Sequence, residues 1–86
     1  MPRLAEFYGI VIAMYYRDHA PAHFHALYAE HEAEISLDTL GVLKGSLPRR
    51  ALALVVEWAA SHHDELEVAW EHARRHEPLG KIAPLD

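Results

Sequence analysis

The sequence predicts an α+β domain: an antiparallel meander of three to four strands, followed by a C-terminal helical segment packed on the sheet. Three observations carry this. A β-branched and aromatic run, Phe7 to Tyr16, is followed by stretches in which apolar and polar residues alternate with period two. After Gly45-Ser46-Leu47-Pro48 the period changes, and apolar residues recur at helical spacing. The 86 residues can fill only one core, so 1–86 is read as a single domain.

Phe7-Tyr8-Gly9-Ile10-Val11-Ile12-Ala13-Met14-Tyr15-Tyr16 reads as one strand buried on both faces, with Gly9 marking a bulge or a close backbone approach. Asp18-His19-Ala20-Pro21 is a turn, because proline cannot continue the ladder of a central strand. From His23 the alternation puts His23, His25, Leu27 and Ala29 on one face and Phe24, Ala26 and Tyr28 on the other. A turn near Ala29 to Glu32 leads to a strand with one wet face. There Ala33, Ile35 and Leu37 alternate with Glu34, Ser36 and Asp38. Thr39-Leu40-Gly41 turns into a short last strand, Val42-Leu43-Lys44.

Pro48 suits the first position of a helix, where its missing N–H costs nothing. Leu52, Val55, Val56 and Ala59, then Leu66, Ala69, Trp70 and Ala73, form the apolar stripe. One helix from Pro48 to His76 would run roughly 43 Å at 1.5 Å per residue, long for so small a domain. A break near Ser61 to Asp64, with Ser61 as N-cap, is therefore favoured over an unbroken helix. The tail Lys81-Ile82-Ala83-Pro84-Leu85-Asp86 docks through Ile82 and Leu85.

Composition narrows the function classes. An apolar fraction of 51% and a charged fraction of 24% are those of a globular protein. The absence of cysteine excludes disulfides, thiolate metal sites and cysteine nucleophiles, and fits a reducing cytoplasm. No basic stretch leads into an apolar one at the start, and the longest apolar run is about half of a membrane span. The expectation is a soluble cytoplasmic protein. A net charge of −5, with basic residues in the pairs Arg49-Arg50 and Arg74-Arg75 plus scattered singles, offers no strong footprint for phosphates, so RNA binding is weakly supported.

The chemistry, where there is any, centres on Asp18-His19-Ala20-Pro21-Ala22-His23-Phe24-His25. His-x-His on a strand sets two imidazoles on one face about 7 Å apart at the backbone, a spacing that suits Zn2+ or another divalent transition metal. His19 is a candidate third ligand, and Asp18 a fourth ligand or an acceptor orienting an imidazole. Trp58, His62 and Glu65 share a helical face, and if that face packs on the sheet His62 completes the site. The alternative is that these histidines only cap the sheet edge and the helix junction by hydrogen bonds. A third reading is acid–base cleavage of RNA by His23, His25 and His62, with Arg17 stabilising phosphate charge. Glu30, Glu32, Glu34 and Asp38 form an acidic patch, either for solubility or for a basic partner.

Phe7-Tyr8-Gly9-Ile10-Val11-Ile12, the Arg17-Asp18-His19 to His25-Ala26 segment, Gly45-Ser46-Leu47-Pro48-Arg49-Arg50-Ala51, Glu57-Trp58 and His62-His63-Asp64-Glu65-Leu66 together resemble a bacterial family, domain of unknown function 4160 (DUF4160). The likeness extends to Trp70 and to Lys81-Ile82-Ala83-Pro84-Leu85. The family bend usually has two prolines, where this chain keeps Pro21, and His63 stands where an arginine is common. The resemblance implies a cytoplasmic α+β protein, often encoded beside a second small domain, DUF2442, in pairs that look like toxin–antitoxin modules. It places the family motif on Asp18, His19, His23, His25, Trp58, His62 and Glu65 and assigns them no catalytic role. The leading expectation is thus the toxin-like half of such a pair, binding a small protein partner, with a second copy of the chain as another candidate partner. A histidine-cluster metal protein or metal-dependent hydrolase is the alternative.

Overall fold

The structure, a computed structural model, describes residues 2–86. Five strands form one antiparallel sheet in sequence order: β1 (Arg3–Phe7), β2 (Ile10–Ala13), β3 (His23–Tyr28), β4 (His31–Ser36) and β5 (Val42–Gly45). Two helices follow, α1 (Arg49–Ser61) and α2 (His63–Arg74).

The expected single strand from Phe7 to Tyr16 is instead a hairpin ending at Ala13. Tyr8 and Gly9 form its two-residue turn, with φ of 50° and 79°. Positive φ at both central residues is the I′ turn whose twist matches that of paired strands. The unbroken apolar run concealed the turn because a tyrosine, not asparagine or aspartate, precedes the glycine. Arg3–Phe7 thereby becomes a fifth strand, one more than the upper expectation.

The alternation in β3 is as read from the sequence, and it sorts the sheet into two faces. Phe24 and Ala26 lie opposite Ile35 and Ala33 of β4 and beside Ile12 of β2, all fully buried. Trp58 of α1 packs on this face against Phe7 and Phe24, with ring centroids 5.5 and 6.1 Å apart. The opposite face carries His23 and His25, paired in register with Ser36 and Glu34, and Glu34 is paired in turn with Lys44. The sequence and the sheet register together thus put an apolar face under the helices and a polar row behind it.

The helices break at His62, which is the C-cap of α1 and the N-cap of α2. Ser61 does not cap α2; its hydroxyl donates back to the Glu57 carbonyl, the ordinary use of a serine one turn on. Asp64 and Glu65 in the first turn, and His72 and Arg74 in the last, suit the helix dipole. The tail docks as expected. The Ile82 N–H donates to the Leu4 carbonyl, and the Trp58 indole N–H donates to the Ala83 carbonyl, so the tail covers the outer edge of β1. Among the described residues, no helix is long and apolar enough to cross a membrane.

Between Glu34 and Ile35 the β4–β5 register slips: Glu34 faces Lys44 while Ile35 faces Val42, leaving Leu43 as the extra residue of a bulge. Gly45 closes this bulge at φ 78°, where a Cβ would collide with the Glu32 carbonyl oxygen. Gly45→Ala is expected to lower unfolding free energy by about 2–4 kcal/mol through left-handed strain plus overpacking. Gly41→Ala, at a position without positive φ, should cost clearly less. Urea unfolding of both variants checks this.

Candidate metal centre

The segment between β2 and β3 folds back over the polar face of the sheet. Backbone bonds anchor it at both ends: the Arg17 N–H donates to the Ala73 carbonyl of α2, and the Leu37 N–H donates to the Ala22 carbonyl. Arg17 sits at φ 56°, and the Ala20–Pro21 peptide is cis. This course delivers the Asp18 carboxylate to the two β3 histidines.

Asp18 Oδ2 lies 2.9 Å from His23 Nε2 and 3.1 Å from His25 Nε2. The other ring nitrogens also face acceptors. His23 Nδ1 is 2.7 Å from the Pro21 carbonyl oxygen, and His25 Nδ1 is 3.1 Å from Glu32 Oε2. A carbonyl and an ionised carboxylate can only accept, so each Nδ1 carries its proton outward. Each Nε2 then holds a second proton or faces the carboxylate across a cation, because two opposed lone pairs repel. Donation of the far ring N–H to a carbonyl or carboxylate is how metal-bound histidines are usually oriented.

The surroundings are nearly closed. His23 is 1% and His25 6% exposed. Tyr15 stands edge-on to the His25 ring at 4.4 Å, and the Trp70 ring of α2 lies 5.5 Å from His23. Burial, with the Glu32 and Asp18 carboxylates nearby, raises the Tyr15 hydroxyl above its ordinary value, so it remains protonated. Burial alone would also raise the Asp18 carboxyl. The hydrogen bonds from His25 and from the His19 backbone N–H, together with the charge and hydrogen bond of His23, outweigh that and hold it below its ordinary range.

Asp18, His23 and His25 offer ligand atoms that all lie within 4.8 Å of one another. Glu34 stands just outside this trio, its Oε1 3.6 Å from His23 Nε2. The expected set was larger. His19 reaches Asp18 Oδ1 with its Nδ1 at 3.1 Å, but its side chain is 80% exposed and it lies at the rim. His62 is not brought in. It rests on Trp58 with ring centroids 5.5 Å apart, and its Nδ1 meets Glu65 Oε1 at 2.6 Å. Trp58 occupies the Phe24 face of the sheet, so the sheet itself lies between His62 and the β3 histidines. Arg17 contributes its backbone to the anchor, and its side chain is exposed. His63 fastens the helix junction to the sheet through Nε2 and the Leu37 carbonyl at 2.7 Å; with Asp64 and Glu67 it forms a second, largely exposed trio.

Sequence reasoning placed Glu32 and Glu34 on a solvated patch and did not connect them, Tyr15 or Trp70 firmly to the histidines. A signal for the two glutamates was present. A two-residue turn at Ala29–Glu30 pairs Tyr28 with His31, and counting back from there sets His25 opposite Glu34.

The architecture and the site define a class: a small α+β domain with two buried strand histidines held to one loop aspartate. Residues 9–71, well over half of the chain, match the family described as Domain of unknown function (DUF4160), and the chain belongs to that family. No curated protein and no solved structure matches the chain.

A carboxylate held low in the fold stabilises fully above its unfolded value, and that stability is lost as pH falls through the folded value. In metal-free protein, Asp18→Asn should therefore cost about 2 kcal/mol at neutral pH. The gap from the wild type should narrow on acidification below the ordinary carboxyl range. Urea midpoints across that pH range provide the measurement.

Proposed function

We propose that this protein binds one divalent transition metal ion through His23 Nε2, His25 Nε2 and the Asp18 carboxylate. The observation that carries the reading is the convergence of two buried Nε2 atoms on a single carboxylate oxygen, with both Nδ1 protons committed elsewhere. Two imidazoles and one carboxylate suit Zn2+, Fe2+ or Mn2+ and leave coordination positions for water or a ligand. Pro21 and Glu32 would fix the ring orientations.

Protein purified without a histidine tag, loaded with Zn2+ or Mn2+ and dialysed, is expected to retain one equivalent by elemental analysis. His23→Ala and His25→Ala should each abolish retention, whereas His62→Ala should not. Free metal at about a hundred times its dissociation constant should raise stability by about 2.7 kcal/mol. Retention far below one equivalent, or retention unchanged in His23→Ala and His25→Ala, sinks the reading.

A second reading, the toxin-like half of a two-protein pair, is favoured by a different observation. The tail covers the β1 edge, but β5 is the other edge of the sheet, and it exposes Val42 and Leu43. Such an edge can accept a strand from a small protein partner. Co-expression with a DUF2442-type protein should give a complex on size exclusion that Leu43→Lys weakens about tenfold or more. Separate elution of the two wild-type proteins overturns it.

A further inference from the structure

Metal retention by Asp18, His23 and His25 leaves Glu34, Lys44 and the space between them without a role. The register puts His25, Glu34 and Lys44 in one row across β3, β4 and β5 on the polar face. Neighbours in such a row are about 5 Å apart at the backbone. The Leu43 bulge is what keeps Lys44 in the row, since it allows Glu34 to face Lys44 while Ile35 faces Val42.

A cross-strand glutamate and lysine would ordinarily pair. Here they do not. Glu34 Oε1 turns to His23 Nε2 at 3.6 Å, and the Lys44 side chain has no ion pair or hydrogen bond among the described residues. Beside them lies an open cavity of about 290 Å³, lined by Glu32, Glu34, Lys44 and Gly45. Its two glutamates are the same ones that reach His25 and His23, so the cavity adjoins the centre. Glu34 stands outside the trio of ligand atoms, with its Oε1 3.6 Å from His23 Nε2.

Resting on the metal reading, we infer that this centre hydrolyses small phosphate monoesters. A water at the centre attacks phosphorus as its proton passes to Glu34; the new P–O bond forms while the bond to the ester oxygen breaks. That oxygen leaves as the alkoxide or phenoxide and recovers a proton from Glu34 or solvent, giving inorganic phosphate and the alcohol. A metal dication and the Lys44 ammonium offset the Asp18, Glu32 and Glu34 carboxylates, and the two cations give the anionic phosphoryl oxygens two positive points to bind. A neutral acyl ester would make no use of Lys44. Glu32 remains occupied in orienting His25.

The test uses the full chain loaded with Zn2+ or Mn2+, with p-nitrophenyl phosphate and p-nitrophenyl acetate as probes. Turnover of the phosphate ester is expected above that of the same metal free in solution. Glu34→Gln should lower kcat about 100-fold or more at unchanged metal stoichiometry. Lys44→Met should lower kcat/KM for the phosphate ester about tenfold relative to that for the acetate. Circular dichroism confirms that both variants fold. Three results overturn the inference with the metal reading intact: one equivalent of metal without turnover above free metal, wild-type turnover in Glu34→Gln, or preference for the acetate. Failure to retain metal overturns the metal reading itself, and elemental analysis tells the two failures apart.

Discussion

One carboxylate oxygen organises the polar half of this molecule. Asp18 Oδ2 faces the Nε2 atoms of both buried imidazoles, and its partner oxygen receives the His19 backbone N–H. Burying two histidines behind a sheet is costly unless every ring nitrogen has a partner, and here all four do. No buried side-chain nitrogen or oxygen among the described residues lacks a hydrogen-bond partner. The segment from Met14 to Ala22 therefore serves as more than a connection between strands, since it supplies the charge that makes the histidine face tolerable.

The apolar half supports that arrangement from the other side. Phe24 stands between His23 and His25 in the chain and points to the opposite face, where Trp58 holds it. Any slip of β3 by one residue would exchange the two faces and place imidazoles in the hydrophobic core. Trp58 in turn is tied to the tail through the Ala83 carbonyl, and His63 ties the helix junction to Leu37. The helices thus cover the apolar face of the strand that carries the site, and α2 reaches the histidines through Trp70.

Much of this was legible in the residues. The period-two face of His23 and His25, the helix break near His62, the docking of Ile82 and the α+β class each follow from spacing that one element displays by itself. What escaped depended on relations between elements. The Tyr8–Gly9 turn was hidden because its first residue is an unusual occupant of positive φ. Glu32 and Glu34 looked solvated because a wet-face pattern does not say which neighbouring strand lies alongside. His62 was read toward the histidines because helical phase reveals which residues share a stripe, but not on which side of a sheet that stripe will settle. Its place on Trp58 sets it on the far side.

The polar cluster draws every member, from Asp18 through His23, His25 and Glu32 to Glu34, out of a short continuous stretch of chain. Closing loops of that size costs little entropy compared with joining distant segments. The β3–β4 hairpin and the preceding bend can therefore bring these side chains together before α1 and α2 arrive. Assembly of the cluster would then be an early local event, and the helices would dock onto a sheet whose orientation is already chosen.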